Sequence, residues 1–116
     1  MSPSADERTI LERRDSPRYE IRVPLTFSGQ SVAGSGLMTS LSREGCHVVS
    51  EESLPARACL SLLVEFPAPY EPLTVEVAEV RWTDATGFGL VFVHVHEEEH
   101  ARLQKFIDWL KRTQNN

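Results

Sequence analysis

The chain has 116 residues, 41% of them hydrophobic, which predicts one small domain with a single core. Its formal net charge is −5, and this argues against a general affinity for nucleic-acid backbones, because such binding needs a basic surface. The sequence shows neither an apolar run long enough to span a membrane nor a signal-peptide pattern at its start, so we expect a cytoplasmic protein without membrane insertion.

Two arginines precede the first strand that the sequence predicts. Residues 1–12 are polar, show no apolar period and are expected to form a flexible N-terminal segment. Arg14 and Arg18 follow, four residues apart, with Arg13 beside them and Pro17 disfavouring a helix in between. An extended segment would let both guanidinium groups reach one ligand and contact phosphates or guanine edges, although a solvated charge cluster is the alternative.

Alternating apolar and polar residues predict six strands, at residues 20–27, 37–41, 46–49, 58–66, 73–82 and 88–95. Pro24 lies on the outward phase of the first strand, which indicates a sheet edge or a bulge. Residues 28–36 are rich in glycine and serine and are expected to form a loop. The fifth strand changes its apolar phase near Val77 and Ala78, so we expect a bulge that helps the sheet to curl.

The C-terminal region predicts an amphipathic helix over residues 97–111, with acidic residues in its first turn and basic residues at its end. Its apolar positions follow helical spacing at Leu103, Phe106, Ile107 and Leu110. We expect this helix to cover the last strand, which is apolar on both phases. The sequence therefore predicts a mainly β fold, a small six-stranded antiparallel β-barrel with one C-terminal amphipathic α-helix, over residues 13–112, and a tail at 113–116.

A second motif follows the arginines. Residues 40–45, Ser-Leu-Ser-Arg-Glu-Gly, place a hydroxyl three residues before a glycine at the predicted end of a strand. Together with Arg14 and Arg18 this resembles the PilZ domain family, whose members carry RxxxR and later [D/N]xSxxG. Ser42 and Gly45 match the second motif, while Ser40 stands where the family usually has Asp or Asn. The resemblance covers residues 13–110 and includes the later runs EVRW and GFGLVF.

The resemblance implies a receptor for cyclic di-GMP with a PilZ-like barrel. Arg14 and Arg18 would hold the guanines and phosphates, while Ser40, Ser42 and the backbone around Gly45 would donate or accept hydrogen bonds from the barrel surface. Gly45 would be required by a positive φ or by a close backbone approach. The ligand could bind singly or as an intercalated dimer.

Three further arginines extend this expectation. Arg13 and Arg43 lie within or beside the two motifs and are included among the predicted ligand contacts, and Arg81 could make a secondary contact to an anion. Binding would order the arginine segment and thereby signal to an unidentified protein partner. The alternative is a degenerate adaptor that does not bind cyclic di-GMP, because Ser40 reaches less far than Asp or Asn.

Metal binding and catalysis receive little support from the sequence. His94, His96 and His100 could suggest a metal site, but spacing places no further ligand, so we expect none and no cofactor. Ser42 lacks the G-x-S-x-G setting of a nucleophile and its proximity to His47 in sequence does not make a triad, so we expect no enzymatic activity.

Tryptophans and cysteines are expected to be structural. Trp82 is predicted in the core and Trp109 on the flank of the helix, with stacking against bases as the alternative role. Cys46 and Cys59 are predicted to be reduced, small core residues, because the chain lacks secretion signals.

Overall fold

The computed structural model describes residues 17–114. The predictions for Arg13, Arg14 and the N-terminal segment 1–12 lie outside these residues, as do positions 115–116 of the predicted tail. The described part contains six strands and one helix: β1 (Tyr19–Ser28), β2 (Ala33–Leu41), β3 (Gly45–Val49), β4 (Cys59–Val64), β5 (Leu73–Thr83), β6 (Gly87–His94) and α1 (Glu97–Gln114).

The six strands form one closed antiparallel barrel in the order β1-β2-β3-β6-β5-β4. This confirms the predicted fold class. Closure gives every strand two partners, so β1 is not a sheet edge. The irregularity that Pro24 suggested is a register shift between Glu20 and Val23 of β1 against β2, and the Pro24 carbonyl accepts a hydrogen bond from the Glu65 N–H at 3.0 Å.

The second strand begins earlier than predicted. β2 starts at Ala33, and its Gly34 and Gly36 pair with Phe27 and Leu25 of β1. The prediction of a loop over residues 28–36 is therefore wrong for the second half of that range. Glycine is needed here for space, because a Cβ on Gly36 would lie 2.7 Å from the carbonyl oxygen of a residue on β3.

The fifth strand bends at two points. A register shift between Val77 and Ala78 against β6 confirms the bulge that the change of apolar phase predicted. A second shift, between Val80 and Trp82, was not predicted. Because each shift changes which residues point outward, the second one turns Trp82 out of the barrel.

Helix α1 packs mainly against β5 and β1. Its four predicted apolar positions are all buried, and the ring of Phe106 stacks on that of Phe66 with centroids 4.0 Å apart. The prediction that the helix covers the last strand is therefore wrong: β6 is not among the strands that the helix mainly contacts, and Val93 on β6 remains 57% exposed. Within residues 17–114 no helix combines the length and the apolar composition needed to cross a membrane.

The helix also runs three residues beyond the predicted end at Lys111, so positions 113 and 114 of the predicted tail are helical. No glycine or proline stops it there, and the Gln114 side chain donates a hydrogen bond to the Glu20 carbonyl at 2.7 Å. This contact ties the C-terminal end of α1 to the start of β1.

The inward faces of the strands form the core. Phe27 and Phe88 meet edge to face inside the barrel with centroids 5.5 Å apart. Cys46 is also buried in this core, and burial raises the pKa of its thiol to about 12, so it is a protonated core residue. Cys59 is exposed, which corrects its predicted place in the core: it opens β4 on the outward phase. The two thiols are free.

Candidate ligand cleft

A row of paired residues crosses the outer face of five neighbouring strands. Glu20 pairs with Ser40, Ser40 with His47, His47 with Gly89, and Gly89 with Trp82. The row therefore runs over β1, β2, β3, β6 and β5 in that order. All of these residues except the buried Gly89 line an open cleft of about 950 Å³, whose other lining residues are Arg18, Ile21, Arg22 and Thr39. We refer to this feature as the ligand cleft.

At one end of the ligand cleft the indole of Trp82 stacks on the imidazole of His47. The ring centroids are 5.1 Å apart and the planes differ by 13°. The two residues come from β5 and β3, which are separated by β6, and Gly89 on β6 lies between them. A Cβ on Gly89 would overlap the indole ring. The missing side chain is thus what allows the two rings to meet.

Trp82 is 49% exposed, so its predicted place in the core is wrong. Alternation along β5 from Ala78 and Val80 would have turned it inward, and the second register shift reverses that direction. The alternative role as a stacking platform is therefore compatible with its position. Trp109 is half-buried on the helix and packs against Phe106, as a residue on the helix flank does.

The imidazole of His47 has a hydrogen-bond partner at one ring nitrogen and a carboxylate near the other. Its Nδ1 lies 2.9 Å from the Thr39 hydroxyl, and its Nε2, which is buried without a hydrogen-bond partner, lies 3.8 Å from a carboxylate oxygen of Asp84. Hydrogen bonds from the Thr86 backbone N–H and hydroxyl lower the pKa of Asp84, with smaller contributions from the Gly87 N–H and His47. Asp84 is thus an anion at neutral pH, and the His47 ring is oriented by the Thr39 hydroxyl and by its stacking on Trp82.

At the other end of the ligand cleft the two sequence motifs meet. The Arg18 guanidinium donates a hydrogen bond to the Ser40 hydroxyl at 3.0 Å across 22 positions of sequence. Arg22 lies in the same cleft, with Glu20 between the two arginines in sequence. Among the described residues that line the cleft, arginine thus outnumbers carboxylate, although the whole chain is acidic. This surplus suits an anionic ligand.

Ser42 and Gly45 do not line the cleft. Ser42 is 4% exposed, and its hydroxyl donates to the Gly45 carbonyl at 3.4 Å and accepts from the Glu44 N–H at 3.3 Å. A Cβ on Gly45 would collide with the Leu90 carbonyl oxygen, whereas none of the described glycines has a positive φ. Close approach to β6 is thus the reason for this glycine. The two residues build the turn that brings β3, and with it His47, beside β2.

The other sequence-predicted residues lie elsewhere. Arg43 is exposed on a separate surface beside Phe92 and His100. The Arg81 guanidinium donates to a Glu79 carboxylate oxygen at 2.7 Å and does not line the ligand cleft. The His47 Nδ1 contacts the Thr39 hydroxyl, whereas the Ser42 hydroxyl contacts the Gly45 carbonyl. Ser42 and His47 therefore do not form a nucleophile–base pair.

Sequence reasoning missed five lining residues, Glu20, Ile21, Arg22, Thr39 and His47, and expected a sixth, Trp82, in the core. All six are on strands, and three of them, Glu20, Arg22 and His47, had an outward phase that could be read from alternation. What brings them together is the order of strands in the closed barrel, which local periodicity does not contain.

Comparison with known proteins agrees with the fold. A family model described as the PilZ domain matches residues 12–109. The Bacillus subtilis inhibitor of motility MotI/DgrA superposes with a TM-score of 0.68, at 20% identity, covering 87% of this chain and 53% of that one. MrkH, described as a c-di-GMP-dependent transcription regulatory factor, superposes with a TM-score of 0.65, at 16% identity, covering 84% of this chain and 51% of that one.

This chain thus spans about half the length of either neighbour, and at these identities the likeness shows the fold alone. A search of curated proteins finds no match. The family model, however, covers most of the chain and includes both motifs that the sequence presents. The chain therefore belongs to the PilZ domain family.

Proposed function

We propose that this chain is a cytoplasmic receptor domain for cyclic di-GMP, with no catalytic role of its own, that couples the level of this second messenger to a protein partner. The single observation that carries the proposal is the hydrogen bond between Arg18 and Ser40. It joins the arginine motif and the serine motif of the PilZ family at one end of the ligand cleft. The volume of that cleft, about 950 Å³, lies within the range of small-molecule sites.

The chemistry of the cleft matches a guanine dinucleotide. Arg18 and Arg22 are planar, permanent cations that can pair with phosphate oxygens or with a guanine edge. Trp82, at the other end of the same cleft, keeps about half of its surface exposed, so a purine base can stack on it. Charge recognition at one end and stacking at the other would distinguish such a ligand from a simple phosphate.

Arg13 and Arg14 belong to the same proposal. Arg18 lines the cleft, and Arg13 and Arg14 are only five and four residues before it in sequence, so an extended segment would let them reach a ligand bound there. Holding several arginines on one ligand fixes the backbone at a cost of roughly 1 to 2 kcal/mol per residue, so part of the binding energy is consumed in ordering residues 13–18. A partner that distinguishes the two states of this segment would then respond to the ligand concentration.

Calorimetric titration with cyclic di-GMP tests the receptor function. We expect saturable binding by the whole chain and much weaker binding of cyclic di-AMP, which lacks the guanine edge. Hydrogen exchange with and without cyclic di-GMP tests whether the ligand orders the arginine segment. Residues 13–19 should gain protection, while residues 60–66 in and beside β4 change little. Equal protection of residues 13–19 with and without ligand would contradict the ordering step even if cyclic di-GMP binds.

A second candidate is a PilZ adaptor that no longer binds cyclic di-GMP. Ser40 favours it, because a hydroxyl offers fewer acceptor sites than Asp or Asn and is already engaged by Arg18. Absence of heat in the titration would support this reading. Binding of single-stranded DNA or RNA in a gel-shift assay would contradict our further expectation that the chain has no nucleic-acid partner.

A further inference from the structure

Three side chains that can bind a metal ion meet on the outer surface at the end of the β5–β6 pair farthest from Trp82. His94 Nε2 lies 2.8 Å from one carboxylate oxygen of Glu76, and His96 Nε2 lies 3.0 Å from the other. One ligand atom from each of the three residues lies within 4.8 Å of the others. None of the three lines the ligand cleft.

The pairing of β5 with β6 explains why these residues meet. His94 pairs with Val77, the neighbour of Glu76, and His96 is two residues further on the same side of the chain. The sequence led us to expect no metal site because spacing placed no additional ligand near the histidines. That ligand is supplied by the adjacent strand, whereas His100, which lies within α1, is not part of the group.

We propose that Glu76, His94 and His96 bind a divalent transition-metal ion, with Zn²⁺ as the best match. Two imidazole nitrogens and one carboxylate oxygen suit zinc, whereas Mg²⁺ and Ca²⁺ prefer oxygen ligands alone. Ligand atoms about 2.1 Å from a tetrahedral ion lie about 3.4 Å from one another. The one ligand atom that each of the three residues offers lies within 4.8 Å of the other two. The group must therefore draw together by up to about 1.4 Å to reach that spacing, which exposed side chains can do by rotation.

The setting of the three residues defines what the ion would do. Their side chains are 50 to 64% exposed, so they can rotate around an incoming ion, and a water molecule or a partner's side chain can fill the fourth position. Three glutamates, Glu97 to Glu99, begin α1 directly after His96 and add negative charge. A bound ion would tie β5 to the junction between the last strand and the helix.

Isothermal titration of the whole chain with zinc chloride, in a buffer that does not chelate metals, tests the proposal. We expect one zinc ion per chain, and binding weakened about tenfold or more in His94→Ala and in His96→Ala. His100→Ala is the matched control, since it removes a neighbouring exposed histidine outside the group, and Cys59→Ser controls for the exposed thiol. Both controls should bind zinc like the unmodified chain.

A thermal shift provides a second measurement. Zinc should raise the melting temperature of the unmodified chain and of His100→Ala, but not that of His94→Ala/His96→Ala, because a ligand stabilises only the state that binds it. Magnesium chloride should have no effect on any of them. Absence of saturable zinc binding, or equal loss of binding in the control variants and in His94→Ala, would overturn the proposal.

Discussion

Ser40 and Ser42 lie two residues apart in one motif, yet they belong to regions with opposite properties. Ser42 is buried in the turn that leads from β2 into β3, where its hydroxyl is used by the backbone. Ser40 opens onto the ligand cleft, where its hydroxyl accepts from Arg18. A short family motif can therefore combine residues that build the barrel with residues that face a ligand, and only the structure separates the two.

The glycine of the motif should show the largest effect, and it belongs to the turn. Gly45→Ala places a Cβ against the backbone of Leu90, which cannot move without disturbing the pairing of β3 with β6. We expect the free energy of unfolding to fall by about 3 kcal/mol, at the upper end of overpacking effects. Urea denaturation measures it.

Gly34→Ala is the control for this prediction. There the added Cβ meets side-chain atoms only, Glu52 Cγ at 2.8 Å and Phe27 Cζ at 3.0 Å, and side chains can adjust more cheaply than backbone. The expected loss is smaller. Equal losses in the two variants would show that backbone collision at Gly45 is not what makes the turn sensitive.

Arg18 faces the cleft, so replacing it should weaken ligand binding and leave the stability of the domain unchanged. Arg18→Ala removes a charged group from the exposed region, so cyclic di-GMP binding should weaken by roughly 1 to 3 kcal/mol while the urea midpoint stays unchanged. Arg14→Ala is expected to weaken binding by a similar amount. Calorimetry measures both.

Arg57→Ala is the matched control for these arginine variants, because Arg57 is 80% exposed and lies outside the ligand cleft. It should bind like the unmodified chain. Arg43→Ala tests whether Arg43 contacts the ligand. The sequence motifs predict that it does, whereas the structure places it on another surface. Unchanged affinity in both Arg14→Ala and Arg18→Ala would contradict the site.

Ser40→Asp restores the family's usual residue on the cleft side of the motif. A carboxylate can accept hydrogen bonds from the guanine edge, and one such bond supports about a tenfold gain in affinity, or ~1.4 kcal/mol. Titration with cyclic di-GMP measures the gain. A loss of affinity would instead mean that the new carboxylate faces a phosphate or that it holds Arg18 away from the ligand.

Ser42→Ala should show the smallest effect. It removes the hydroxyl that joins Gly45 and Glu44 within the turn, and we expect a loss of about 1 kcal/mol in stability. Binding should change less than in Arg18→Ala. Should Ser42→Ala abolish binding at unchanged stability, the hydroxyl would have to contact the ligand directly, as the family resemblance implies.

The sequence predicted those features that depend on local pattern. Alternation indicated six strands, the phase change near Val77 indicated the first bulge, and helical spacing indicated the buried face of α1. It did not predict that Gly34 and Gly36 belong to β2, because glycine in a strand is required by the approach of a neighbour that is distant in sequence.

The candidate site was less predictable for the same reason. Arg18 and Ser40 could be found from their motifs, but His47 and Trp82 meet only because the barrel closes in one strand order and because Gly89 between them has no side chain. The carboxylate of Glu76 likewise reaches the histidines from another strand. Contacts of this kind depend on register, which a single sequence does not state.

The position of Trp82 also has an optical consequence. The chain contains two tryptophans, and the second, Trp109, is half-buried on α1 against Phe106. A Trp109→Phe chain would therefore keep one fluorophore, in the cleft and stacked on an imidazole. A base that displaces water from the exposed indole would alter its emission, so the occupancy of the cleft could be followed in the unlabelled protein at concentrations too low for calorimetry.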